Sequence, residues 1–167
     1  MKGTQKLANQ YQIKGSPVVL IVDSDGDELV RAPLATGTAA LNSALDQASA
    51  KYANKEISWG SDVPAASSDK KLLIVGFDDE KGETLKLFED RRIAKYHGRM
   101  TFVKLAYEKN GEAAKKWGVT QAPTIVISDG SKESPEKSVI EKLSGKRNET
   151  SLKAAIQRAL LKLDARK

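Results

Sequence analysis

The chain has 167 residues, no cysteine, one histidine and a net charge of +6. This composition excludes disulfides, thiolate metal sites, a cysteine nucleophile and any cluster of histidines within these residues. Apolar residues make up 40%, enough for a buried core, but no run approaches the roughly 20 that a transmembrane helix needs.

The charge is spread unevenly. Residues 1–69 carry 6 basic and 8 acidic side chains, residues 70–130 carry 12 and 9, and residues 131–167 carry 10 and 5. A basic C-terminal third could attract nucleic acid or an anionic surface. The few aromatics are not interleaved with those basic residues as a base-stacking surface requires, and no nucleic-acid motif is present. The simpler reading is a solvated, lysine-rich helix face, so no nucleic-acid partner is expected.

In chain order, Met1 to Lys6 has no apolar stretch behind its charges, so no signal peptide is expected and the sequence names no compartment. Ala8 to Gln12 reads as a helix end. A short turn, Pro17 and the β-branched run Val18 to Val22 follow, and Asp25-Gly26 reads as a hairpin turn. Leu41, Ala44, Leu45, Ala48 and Tyr52 then recur at helical spacing behind Thr38, a candidate N-cap. Residues 55–70, rich in Ser, Gly, Pro and Ala, read as a linker. Trp59 is unusual there and either pins the linker to one module or lies at the surface.

Leu72 to Phe77 is a continuous apolar run bounded by charge, as a strand buried on both faces is. Glu83 to Tyr96 reads as one helix with Leu85, Phe88, Ile93 and Tyr96 on one face, ended by His97-Gly98. Met100 to Leu105 is a second strand. Ala114 to Trp117 reads as another helix end, then come Pro123, a strand from Thr124, the turn Asp129-Gly130 and a final helix. Its stripe is Leu152, Ala155, Ile156, Ala159, Leu160 and Leu163. From residue 71 the order is β-α-β-α-β-β-α. A right-handed crossover gives a parallel strand pair and the hairpin adds antiparallel strands, so a mixed sheet flanked by helices is expected.

The chain also resembles itself. Ala8, Tyr11, Ile13, Pro17, Val19, Ile21 and Asp23 meet Ala114, Trp117, Val119, Pro123, Ile125, Ile127 and Asp129 at a constant offset of 106. Each copy reads helix, proline, strand, hairpin, strand, helix. A proline opening a strand costs no inner ladder bond, and after a tight turn it is a candidate for the cis form.

Other candidates are weaker. Asp23-Ser24-Asp25-Gly26-Asp27-Glu28 hints at a calcium loop, but Gly26 falls at the fourth place and Leu34 at the twelfth, where an EF-hand needs glycine sixth and glutamate twelfth. An Asp- and Gly-rich hairpin turn explains it more simply. His97 reads as a helix-end cation or a surface residue rather than a catalytic base. No Gly-x-Ser-x-Gly elbow and no phosphate-binding glycine loop occur.

The order of elements, with Trp117-Gly118-Val119-Thr120-Gln121-Ala122-Pro123-Thr124 ahead of a strand, resembles the thioredoxin family. The resemblance implies a complete thioredoxin-like domain over residues 71–167 and the C-terminal half of a second such module over residues 1–54, joined by the linker 55–70. Pro17 and Pro123 would stand at the family's cis-proline. The family's Cys-x-x-Cys would open the helix after the first strand, where a helix N-terminus lowers the thiol pKa. This chain has Phe77-Asp78-Asp79-Glu80-Lys81-Gly82-Glu83 there, in a loop a few residues shorter. Its carboxylates read as helix caps rather than a metal or acid–base cluster.

Two functions follow from the resemblance. One is a redox-inactive binding module that takes an extended protein or peptide partner at Gln121, Ala122 and Pro123, and at Ser16 and Pro17, with no cofactor and no metal. The alternative is a piece of a larger thiol–disulfide oxidoreductase, of the thioredoxin or disulfide isomerase type, whose Cys-x-x-Cys lies outside these residues. Residues 17–31 read as a hairpin that lacks the inner neighbour such a sheet would give it, so residues 1–54 either pack on the following domain, or pair with another chain, which opens a route to self-association through that edge, or are poorly ordered.

Overall fold

Six consecutive apolar residues, Leu72 to Phe77, can be stable in water only if both faces of their strand are covered. In the computed structural model all six are buried, at the centre of the second of two units. The structure describes residues 2–14, 18–33, 37–65, 70–78 and 82–165. Ser16, Pro17, Asp79 and Glu80 lie outside the described residues.

The second unit, Asn54–Lys167, has a four-stranded sheet. Its strands are β3 (Leu72–Phe77), β4 (Met100–Leu105), β5 (Thr124–Asp129) and β6 (Val139–Ser144), in the spatial order β4-β3-β5-β6. β3 and β4 run parallel, with Leu72 opposite Met100. β5 runs antiparallel to both β3 and β6. The helices are α3 (Glu83–Lys86), α4 (Arg91–Ala94), α5 (Glu112–Trp117) and α6 (Glu149–Ala165). This is the expected β-α-β-α-β-β-α order, and it is a thioredoxin-like fold.

Two apolar clusters follow from the strand period of two. Leu72, Ile74, Ile125 and Ile127 join Phe88, Ile93 and the α6 stripe, in which Leu152, Ala155, Ile156 and Ala159 are fully buried. On the other face Leu73, Val75, Phe77 and Val126 pack with Trp117 and Val119.

One expectation needs correction here. The single helix over 83–96 is broken. A 3-10 turn spans Leu87–Glu89, Asp90 takes an extended ψ of 134°, and α4 starts afresh behind it. The cause is local: Asp90 Oδ1 accepts the Arg92 amide at 2.9 Å, an N-cap bond that competes with continuing the helix. The stretch read as a linker makes contacts of its own. Its first part belongs to the second unit, because Ile57 and Trp59 pack on the larger cluster. The Gly60 amide donates to the Phe102 carbonyl at 3.0 Å and the Lys104 amide donates to the Gly60 carbonyl at 2.9 Å. These bonds make a one-residue parallel bridge on the outer edge of β4.

The first unit, Met1–Ala53, has α1 (Lys2–Gln10), β1 (Val18–Val22), β2 (Glu28–Pro33) and α2 (Gly37–Lys51). β1 and β2 form an antiparallel hairpin. Asp23 sets its turn: the buried carboxylate Oδ1 accepts the Asp25 amide at 2.8 Å and the Asp27 amide at 2.9 Å. The α2 helix buries Ala44 and Ala48 and leaves Leu41 and Leu45 exposed. The predicted stripe is therefore only half used, because a two-stranded hairpin offers too little surface to cover the larger side chains. Thr38 lies inside the first turn of α2, not ahead of it.

The offset of 106 reaches into the backbone. The register shift in the first hairpin falls between Ile21 and Val22, and in the second between Ile127 and Ser128. Asp129 repeats Asp23: it is buried and its Oδ1 accepts an amide two residues on, that of Ser131 at 3.1 Å.

Candidate functional site

The end of the sheet where β3 stops and β5 begins gathers the residues the sequence singles out. Phe77, the last of β3, lies opposite Thr124, the first of β5. Asp78 therefore leaves the sheet at the same end at which Pro123 enters it. Gly82 takes the cap position of α3 in the left-handed region, φ 69°, and Glu83 stands in the first turn, where the helix dipole favours a carboxylate.

The Gln121–Pro123 turn is held by its carbonyls. Tyr107 Oη donates to the Thr120 carbonyl at 2.6 Å, Thr124 Oγ1 to that of Gln121 at 2.7 Å, and the Gly145 amide to that of Pro123 at 2.8 Å. The Ala122–Pro123 peptide bond is cis. Pro123 is buried, Ala122 is half-buried and the Gln121 side chain is exposed. Among the described residues, the Ala122 amide and carbonyl take no internal hydrogen bond. A backbone donor and acceptor from one residue, held at a sheet end, can pair with an extended chain as a strand edge does.

Beside this turn lies a cavity of 380 Å³ lined by Tyr107, Lys109, Asn110, Lys115, Gly118 and Thr120 among others. Lys142 crosses from β6 and its Nζ donates to the carbonyls of Trp117 at 2.9 Å and Gly118 at 2.7 Å, closing the C-terminal end of α5. Tyr107 and Gly145 support the turn, and Lys142 the end of α5 that leads into it, from a distance of many residues, and nothing in their local sequence marked them.

His97, read from the sequence as a helix-end cation or a plain surface residue, is half-buried. Its Nε2 lies 2.8 Å from the Phe88 carbonyl, and its ring meets Phe102 edge-on at 5.3 Å. Burial pushes its pKa down, and nearby Lys55 adds to that, against the opposing pull of the Phe88 carbonyl and Glu89. It supports an aromatic cluster in which Trp59 meets Phe88 at 5.8 Å and Phe102 at 5.4 Å, both edge-on. Among the described residues the one acidic or histidine group close enough to share a cation is Asp23, Asp25 and Asp27, with oxygens within 4.8 Å. The Asp23 carboxylate there is the one that forms the hairpin turn.

Neither a family model nor a curated protein matches the chain. Solved structures do. A thioredoxin of Fasciola hepatica is 29% identical, with 55% of this chain and 83% of that one covered and a TM-score of 0.40. A thioredoxin from Trypanosoma brucei brucei is 19% identical, with 63% and 99% covered and a TM-score of 0.40. Spinach chloroplast thioredoxin F is 21% identical, with 53% and 71% covered and a TM-score of 0.39. The strand order and connectivity described above define the class: a thioredoxin-like fold on a chain whose residues 1–167 hold no cysteine.

Proposed function

We propose that the Asn54–Lys167 unit is a thioredoxin-like binding module that captures an extended stretch of another protein without thiol chemistry. One observation carries this reading. The residue ahead of Pro123 keeps its amide and carbonyl without internal partners, while the carbonyls of Thr120, Gln121 and Pro123 are all engaged. The bound chain pairs with Ala122 as a short strand, and the rim at Gln121 contributes side-chain contact. With no cysteine among residues 1–167, capture and release are governed by affinity alone.

Amide chemical shifts of the full chain, followed during titration with an unfolded peptide, test the reading. The expected result is a saturable shift centred on Gln121, Ala122 and Gly145. Shifts confined to other surfaces, or none at millimolar peptide, overturn it.

The alternative, a piece of a larger thiol–disulfide oxidoreductase, draws on the first unit, whose hairpin repeats the bulge and the Asp turn of the second. The gene sequence beyond these residues decides it. A Cys-x-x-Cys module there supports it, and its absence removes it.

A further inference from the structure

β5 in the second unit shows what a strand of this type needs. It is hydrogen-bonded on both sides, to β6 and to β3, and all six of its residues are buried. β1 is its counterpart at the offset of 106. It carries a similar β-branched run and the same register shift. Yet among the described residues β1 is paired with β2 alone. Its other edge has the position that β3 fills beside β5.

We propose that this edge is a self-association surface, on which β1 of a second copy pairs antiparallel to β1 across a two-fold axis. Three observations select this occupant. First, β5 accepts its inner neighbour in the antiparallel sense, and antiparallel pairing is the sense that a two-fold axis imposes on a strand and its own copy. Second, the occupant of the equivalent edge is the apolar run Leu72–Phe77, and Val18-Val19-Leu20-Ile21-Val22 has that chemistry. Third, the β1 run holds neither of the residue types that most directly block edge pairing, lysine and proline. The register shift at Ile21 and Val22 is no obstacle, because β5 carries the same shift and still pairs with β3 through all six residues.

The pairing gives a four-stranded sheet in the order β2-β1-β1-β2. Leu20 meets its own copy at the centre and Val18 meets Val22 at each end. The axis stands perpendicular to the sheet, so both α2 helices come to one face. Exposed apolar side chains gather in the same unit: Leu7, Val22, Leu41 and Leu45 all belong to the first unit, and among the described residues only Leu161 is comparable in the second. The surface is independent of the Ala122 turn, so each proposal stands or fails alone.

Sedimentation of the full chain from micromolar to submillimolar concentration, with amide hydrogen exchange at both ends of the range, tests this. The expected result is a monomer–dimer equilibrium in which the Val18–Val22 amides gain protection as the dimer forms. Val22→Lys, at an already exposed position, weakens the dimer about tenfold because symmetry places the change twice, whereas Leu161→Lys leaves it unchanged. A monomer at every concentration, or a dimer that leaves the Val18–Val22 amides unprotected, overturns the proposal.

Discussion

Gln12 and Gly118 stand 106 residues apart and end their helices in the same way: both are left-handed, at φ 49° and 60°. Behind each the same bond closes the turn, from the Ile13 amide to the Ala8 carbonyl at 2.9 Å and from the Val119 amide to the Ala114 carbonyl at 2.7 Å. The second copy meets the requirement with glycine, which enters this region freely, and the first meets it with glutamine, which does not. Gln12→Gly therefore stabilises the end of α1 by up to about 1 kcal/mol, and slower exchange of the Ile13 amide is the measurement that detects it. Gly118→Ala runs the other way, losing about 1 kcal/mol, because its Cβ also meets Lys142 Nζ at 3.0 Å.

Phe88 is fully buried at the meeting point of Trp59, Phe102 and the α6 stripe. Phe88→Ala leaves a cavity that rigid neighbours cannot fill, and costs about 3–5 kcal/mol, read from the urea unfolding midpoint. Trp59 emission intensity changes in the folded variant, because the ring that meets its edge is removed.

His97 ties stability to pH. Its pKa in the fold lies below the unfolded value of 6.5, so the unfolded chain binds the proton more readily. Stability is full above 6.5 and declines as pH falls from there through the folded value. The melting temperature should drop as pH falls below 6.5, and His97→Gln should flatten the slope. A His97→Gln profile that superposes on the wild-type profile would remove this account.

Asp90 shows where sequence periodicity stops being informative. Leu85, Phe88 and Ile93 have helical spacing across a break, because each helical turn separately faces the same cluster. The break is made by one carboxylate on one amide, and the pattern of apolar residues does not register it. Removing it with Asp90→Ala costs about 0.5–2 kcal/mol in thermal unfolding. The Arg92 guanidinium beside Asp90 holds its carboxyl below the usual range, so this contribution is present above the unfolded carboxylate pKa of 3.8 and fades as pH falls through the lower folded value.

The same contrast runs through the whole chain. β3, β5 and α6 were legible because burial on one face or both leaves an unbroken apolar signature at a fixed period. The Gln121–Pro123 turn was legible through its proline and its resemblance to a family pattern. Trp59 was legible only in part: its serine-rich setting reads as linker in which it stands out, and the packing of its ring, with the long-range bonds between Gly60 and the β4 edge, is what ties the segment to the second unit. Tyr107 and Gly145 act through single hydrogen bonds to carbonyls distant in sequence, which leave no periodic trace.

Gly76 is the point at which Trp59 can be tested. It lies inside β3, where a side chain would normally strengthen the strand. A Cβ there would meet Leu85 Cδ2 at 2.5 Å, Leu85 Cδ1 at 2.9 Å and Trp59 Cζ3 at 3.2 Å. Leu85 is itself buried in the packed cluster, so the added methyl must displace either it or the indole. Gly76→Ala is expected to cost about 1–3 kcal/mol despite the better strand propensity of alanine. Gly98→Ala is the control, since nothing lies within 4 Å of the point its methyl would occupy, and it should be neutral or slightly stabilising. If the Trp59 contact is what excludes the methyl, the double variant Gly76→Ala with Trp59→Leu recovers part of the loss relative to the sum of the single changes. Strict additivity in that cycle would place the clash on Leu85 instead.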